Sequence, residues 1–377
     1  MVLVLVRGHA GAAPEVYMQG FGETAPGSGV APNAESILRL CSLSKIFATD
    51  LLNKLVADGT VRLDDELQTF APPSVLVPMQ VGAAPQATAR GSHVAKPAPH
   101  AVALNTRPIT LEDLATHTSG LAREVGTAPH DTPHFTFPSF NYRWHWLPNQ
   151  RLKSVPGAAA LYSNVGFDLL GDALQSAAHE PYAKLLADRT TRPLGMKETG
   201  FTPNANQCAR LLQGNHDEGP CTDTQNSAGS SGVYSTPTDM ATWLKYLLYV
   251  GPTAQDAKAQ AVYIDPATLV SQSGLDHAGD VSGIGIGWMH VLSGPEEIVE
   301  KTGGGAGFVT YIALNHATQT GLFAAFTDGE GATHYNVFKA ANNLLLTLSG
   351  FPPAFDPAPP KPAPKAARKT TRKPVHH

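Results

Sequence analysis

The first apolar run, VLVLVR, is separated by the turn segment GHAGAAP from a second run, EVYMQGFG. The pair predicts an N-terminal β-hairpin. A similar pair stands near the other end, where NHATQT separates FVTYIAL from GLFAAFTD. Helical spacing follows in HYNVFKAANNLLLTLSG, with Gly350 as C-cap and Pro352 and Pro353 beyond it. Strands from both chain ends plus a terminal helix predict one antiparallel sheet. Residues 61–274 are richer in helical patterns and loops. The expected fold class is α/β in the α+β sense: an antiparallel sheet built from both chain ends, with flanking helices and an inserted, mostly helical domain. Residues 1–60 and 275–350 form the sheet domain in this reading, and 61–274 form the insertion. No internal repeat is evident.

Two stretches break these patterns. Residues 78–108 are rich in Ala, Pro and Gly and read as a long surface loop. Residues 126–150 also read as loop, but carry Phe135, Phe137, Phe140, Tyr142, Trp144 and Trp146, which either pack over the core or wall a cleft. From Pro352 the chain is rich in Pro, Ala and Lys, and residues 351–377 read as a disordered basic tail.

Length and composition add bounds. A chain of 377 residues can bury a sizeable core, and 42% hydrophobic with 15% charged residues reads as globular. No run reaches the roughly 18 apolar residues of a membrane span. The opening MVLVLVRG lacks a basic flank and a small-residue cleavage site, so it reads as a strand rather than a secretory leader. On that reading the chain starts inside a domain, and the absence of a leader says little about compartment. Net charge is −4, but six basic residues of the tail stand against Asp356 alone, leaving 21 basic and 30 acidic residues in the body. An acidic body argues against nucleic acid as a partner. The basic tail could touch an anionic wall polymer or membrane surface, or serve only as a soluble tail. Cys208 and Cys221 bracket a short polar segment and are either a disulfide or two free thiols. Cys41 reads as a small buried filler.

Three short motifs carry candidate chemistry. The first is Ser42-Leu43-Ser44-Lys45, ahead of Ile46, Phe47, Leu51, Leu52, Leu55 and Val56 at helical spacing, with Asp58-Gly59 closing the helix. One helical turn puts Lys45 on the Ser42 face. A serine hydroxyl needs a base to become a nucleophile, and a lysine can be that base if burial or nearby cations lower its pKa. Alone, Ser-x-x-Lys arises about once by chance in a chain this long, and the plain alternative is a capping serine and a solvated lysine. The second motif is Tyr162-Ser163-Asn164, ahead of Val165, Leu169, Ala173 and Leu174. Its plain reading is a helix N-cap with Tyr162 in the core. Its functional reading sets the Tyr162 hydroxyl at Ser42 and Asn164 on a substrate amide. The third is Lys301-Thr302-Gly303-Gly304-Gly305, at the end of the strand-like run Glu297-Ile298-Val299-Glu300. The lysine and threonine can clamp a carboxylate, and the glycines allow close approach and amide donation to an oxyanion. The plain alternative is a lysine before a Gly-rich bend. No P-loop or dinucleotide fingerprint is present. The 15 histidines form no His-Glu-x-x-His or Cys/His zinc spacing. His130, His134 and His145 read as loop or packing residues, and His117 as structural. Gly283-Ile284-Gly285-Ile286-Gly287-Trp288 reads as a strand of small residues near the cleft.

In this order and at this wide spacing, the three motifs resemble those of the penicillin-binding and serine β-lactamase family. Tyr-Ser-Asn looks like its class C β-lactamase and DD-peptidase branch. The stretches around Thr116-His117-Thr118-Ser119-Gly120-Leu121, Arg192-Pro193-Leu194-Gly195-Met196 and Gly232-Val233-Tyr234-Ser235-Thr236-Pro237 are similar to later landmarks of the same family, over roughly residues 1–350. The resemblance implies a serine D-alanyl-D-alanine carboxypeptidase/endopeptidase of the periplasm, acting on peptidoglycan peptides and acylated by β-lactams. Ser42, Lys45 and Tyr162 are then catalytic, and Asn164, Lys301, Thr302, Gly303 and Gly304 bind substrate. It implies no metal and no cofactor. The alternatives are a class C-like β-lactamase, an esterase on the same fold, and a non-catalytic β-lactam-sensing or wall-binding module. Oligomeric state is left open.

Overall fold

The computed structural model describes residues 1–9, 12–82, 104–214, 218–249, 258–275, 277–293, 296–327 and 333–355. Its centre is a seven-stranded antiparallel sheet made of β1 (Val2–His9), β2 (Ala12–Gly20), β3 (Asp280–Ile284), β4 (Met289–Ser293), β5 (Glu296–Gly305), β6 (Phe308–Asn315) and β7 (Thr320–Phe326). The spatial order is β2-β1-β7-β6-β5-β4-β3. Both expected hairpins form, and β1 joins them by pairing with β7 from Val2 opposite Ala325 to Arg7 opposite Thr320. The sheet is thus built from both chain ends, as the apolar runs imply.

Alternation along the strands divides the sheet into two faces. Val4, Val6, Ile312, Leu314, Phe323 and Ala325 join the main core, with Phe47, Trp243 and Leu244. Their neighbours Val309, Tyr311, Ala313, Leu322 and Ala324 pack with Phe338, Leu345 and Leu346 of the terminal helix. That helix spans Thr333–Leu348, and Gly350 follows it at φ +86°.

Four helices position the site: α1 (Ser44–Ala57), α2 (Phe140–Trp146), α3 (Asn164–Ala178) and α4 (Pro237–Tyr249). α1 packs on α3, and α4 packs on β1 and β7. Phe47 of α1 stacks on Trp243 of α4 with ring centroids 4.3 Å apart. The short pairing of Leu38–Arg39 with Tyr234–Ser235 brings residues 229–235 alongside the chain leading into α1. Gly229 lets the same segment lie against α3, because a Cβ there would lie 2.1 Å from the Phe167 carbonyl oxygen.

Several expectations change. The aromatic stretch 126–150 is not loop throughout. Ser139 caps α2 by accepting the Tyr142 N–H, and Arg143 on that helix is buried against α3, which fixes a turn that aromatic residues alone do not favour. Lys301-Thr302-Gly303 lies near the end of a strand, as expected, but is not itself the bend. β5 runs through it to Gly305, because Gly303 and Gly304 stay paired with Thr310 and Val309. Cys208 and Cys221 are disulfide-bonded, and Cys41 is buried. The proposed 78–108 loop is pinned at its base, where Gln80–Val81 pair with Leu104–Asn105, while 83–103 lie outside the described residues. Most of the basic tail, 356–377, lies outside them as well.

Candidate active site

Ser42 lies in a 3-10 turn, Cys41–Leu43, that runs directly into α1. Cys41 adopts φ +53°, and its thiol donates to the Gly305 carbonyl at 3.3 Å. The Thr310 hydroxyl donates to the Leu40 carbonyl at 2.8 Å. Gly303 admits this close docking of the serine turn on β5, since a Cβ there would meet the Leu40 carbonyl oxygen at 2.8 Å. The nucleophile candidate is therefore fixed to the strand that carries Lys301.

Lys45 is fully buried. Its Nζ donates to Ser42 Oγ at 3.3 Å, to Asn164 Oδ1 at 2.7 Å and to the Ser230 carbonyl at 2.8 Å. No salt bridge reaches it among the described residues. Burial, first, and the Lys301 charge, second, push its pKa well below the usual lysine range, against a smaller upward pull from Asp168 and Glu124. That is the condition under which a lysine can take a proton from a hydroxyl near neutral pH.

Tyr162 closes the triangle. Its hydroxyl donates to Ser42 Oγ at 2.6 Å. Three cations gather on its ring: Arg123 Cζ at 4.6 Å from the centroid, Lys45 Nζ at 4.8 Å and Lys301 Nζ at 5.4 Å. His117 stacks on the same ring at 4.4 Å. Burial, reinforced by Lys45, Lys301 and Arg123, holds the His117 pKa well below the usual histidine range, so it is neutral, and its Nδ1 accepts the Ser163 N–H at 3.1 Å. Ser163 caps α3 through the Gly166 N–H at 2.9 Å. Both readings of Tyr-Ser-Asn thus hold together: Ser163 is the cap, and the cap aims Tyr162 and Asn164 into the site.

Lys301 is buried and donates to the Thr302 carbonyl at 3.0 Å. Thr302 is buried beside it, and Gly304 lies on the same strand opposite Val309. His117, Tyr162, Gly285, Gly287, Trp288 and Lys301 line one small recess, so the Gly283–Trp288 run does border the cleft, though residues 285–288 form the turn between β3 and β4 rather than a strand. Asn164 faces two ways: Oδ1 accepts from Lys45, and Nδ2 donates to Glu124. Sequence reasoning singled out neither Glu124 nor Arg123, although both follow the Thr-His-Thr-Ser-Gly-Leu stretch by two to three residues. It also missed the Ser230 carbonyl, a backbone group with no sequence signal. Among the described residues no cluster of His, Cys, Asp or Glu could hold a metal ion.

A hydroxyl, a buried amine and a phenol converging beside an antiparallel sheet define a site of the serine-hydrolase class. The comparisons make the class specific: the Beta-lactamase family model matches residues 11–345, and the chain belongs to that family. It is 36% identical over 363 residues to the D-alanyl-D-alanine-carboxypeptidase/endopeptidase AmpH of Escherichia coli K12, covering 95% of this chain and 87% of that one. Among solved structures, it is similar to the β-lactamase/D-alanine carboxypeptidase from Yersinia pestis, with 37% identity, a TM-score of 0.80 and 92% of each chain covered. A class C β-lactamase from Rhodobacter sphaeroides shares the fold at 19% identity and a TM-score of 0.63, over 92% of this chain and 93% of that one.

Proposed function

We propose that the protein is a periplasmic serine DD-peptidase that cleaves D-alanyl-D-alanine and related links of peptidoglycan peptides through an acyl-enzyme. The observation that carries this reading is the buried Lys45 amine and the Tyr162 hydroxyl meeting on Ser42 Oγ, at 3.3 and 2.6 Å, in a chain so similar to a carboxypeptidase/endopeptidase. Lys45, acting with Tyr162, takes the Ser42 proton as Oγ attacks the peptide carbonyl. The Ser42 and Gly304 amides receive the oxyanion. Tyr162 passes the proton to the leaving amine as the C–N bond breaks. Lys301 and Thr302 hold the terminal carboxylate beside Gly303, and Asn164 holds the acyl-side amide. Water then attacks the ester and releases the acid. No step calls for a metal or cofactor. The cleft lies where the sheet unit, 1–60 and 275–350, meets the mostly helical unit, 61–274. The basic tail would favour an anionic wall or membrane surface.

Intact-protein mass spectrometry after adding a penicillin tests this. A one-equivalent adduct on Ser42 lasting minutes, together with D-alanine release from a D-Ala–D-Ala peptide, supports the peptidase. Rapid loss of the drug with the free enzyme mass restored assigns a β-lactamase instead. An adduct without any peptide turnover assigns a sensor, and a free mass with intact drug points to an esterase.

A further inference from the structure

Two of the three acceptors that hold Lys45 depend on one helix. Asn164, the first residue of α3, supplies Oδ1 directly. Asp168, one turn further along the same face, accepts the Ser230 N–H on Oδ1 at 3.0 Å, and the Ser230 carbonyl accepts from Lys45 at 2.8 Å. Asp168 is 3% exposed. Its neighbour Arg143 is already committed: Nε and Nη2 bind both oxygens of Asp172, and Nη1 binds the carbonyls of Pro138 and Asn226. Asp168 therefore has an amide partner but no salt bridge of its own among the described residues. Behind it lies a cavity of about 130 Å³ that it lines with Arg143, Asp172, Tyr182 and Gly229. The Tyr182 hydroxyl there is buried and has no hydrogen-bond partner among the described residues. A buried carboxyl held this way costs stability, and α3 is otherwise apolar at Val165, Phe167, Leu169 and Leu170.

We propose that Asp168 is a positioning residue for Lys45: it fixes the Ser230 peptide so that its carbonyl meets Nζ, and its charge offsets that of the lysine. The proposal rests on Lys45 being the base of the reaction. The groups facing Lys45 are Lys301 and Arg123, which lower its proton affinity, Asp168 and Glu124, which raise it, the neutral His117, and the Tyr162 ring. Those facing Asp168 are Arg143, Asp172 and Lys45. Burial pushes the Asp168 carboxyl up to about 7 and the Lys45 amine well down, and each charge biases the other's proton equilibrium.

Asp168→Asn keeps the acceptor and the volume and removes the charge. The Lys45 titration midpoint is read from its ¹³Cε resonance, assigned by loss of the peak in Lys45→Arg. It should fall by about one pH unit, with the acid limb of penicillin acylation moving down by the same amount. Asp168→Leu, which also frees the Ser230 amide, should in addition slow acylation on the plateau by about tenfold. If Asp168→Asn does not fold, Lys45→Met reads the same coupling from the other side: the Asp168 ¹³Cγ midpoint should rise, since coupling is reciprocal. An unmoved midpoint in either experiment overturns the proposal. A moved midpoint in a protein that no penicillin acylates would overturn the peptidase reading and leave the coupling standing.

Discussion

Two buried cations lie along one row of α3, Lys45 at Asn164 and Arg143 at Asp172, and meet opposite fates. Arg143 forms a two-point ion pair with Asp172, at 2.6 and 2.7 Å, and caps two carbonyls besides. Among the described residues Lys45 has only neutral hydrogen-bond partners: an amide oxygen, a backbone carbonyl and a hydroxyl. The pair neutralises Arg143, whose guanidinium stays protonated in any setting, and holds it immobile, so it serves the architecture. Neutral acceptors hold Lys45 in place without paying for its charge, so its proton is loosely held. The difference teaches that burial alone does not make a cation reactive: a buried lysine without an ionic partner loosens its proton, while a buried arginine with one does not.

The sharpest way to break this comparison is at the hydroxyl that Lys45 serves. Ser42→Ala should abolish the covalent penicillin adduct and lower peptide turnover by ~10⁴-fold or more; turnover near the parent rate would end the assignment. Tyr162→Phe removes the second partner of Ser42 Oγ and should slow acylation about 10²–10⁴-fold in stopped-flow measurements. On the structural side, Arg143→Met leaves Asp172 buried and unpaired and should cost about 3–5 kcal/mol in denaturant unfolding. Replacing Asp172 by Leu as well should recover part of that loss. If Arg143→Met is neutral, the pair is not structural and the contrast fails.

A subtler contrast lies in pH. The Lys45 pKa is lower in the folded than in the unfolded chain. Between that depressed midpoint and about 10.4, the unfolded state binds more protons, so this group makes stability rise with pH across the window. Thermal melts of Lys45→Met should lose that slope. The smallest effect concerns Cys41, whose thiol burial pushes up to about 12. Iodoacetamide at pH 8 should leave it unmodified in the folded protein and alkylate it after unfolding.

The sheet was legible because alternating apolar residues have one sensible pairing. Ser42, Lys45, Tyr162, Asn164 and Lys301 were legible because three motifs at fixed local spacing carry them, and the fold brings all five together. The rest was hidden for separate reasons. α2 is written in aromatic residues of modest helix propensity, and the Arg143–Asp172 pair that pins it joins segments 29 residues apart. β5 runs through glycines that a propensity reading treats as a bend. The Ser230 carbonyl is a backbone atom, identical in every residue. Asp168 did leave a trace, a carboxylate among the apolar residues of α3, but one acidic residue on a helix is usually solvated, and only the packing shows otherwise.

The pairing of β1 with β7 also sets a timetable. During synthesis, β1 and β2 emerge ahead of the other strands of the sheet, yet β7, which pairs with β1 from Val2 opposite Ala325, is the last of those strands to emerge. Until then an apolar strand edge is open to other chains, and a contact between such distant segments makes for slow folding. The same long-range ladder that unites the sheet leaves the edge of β1 exposed until every other strand of the sheet has been made.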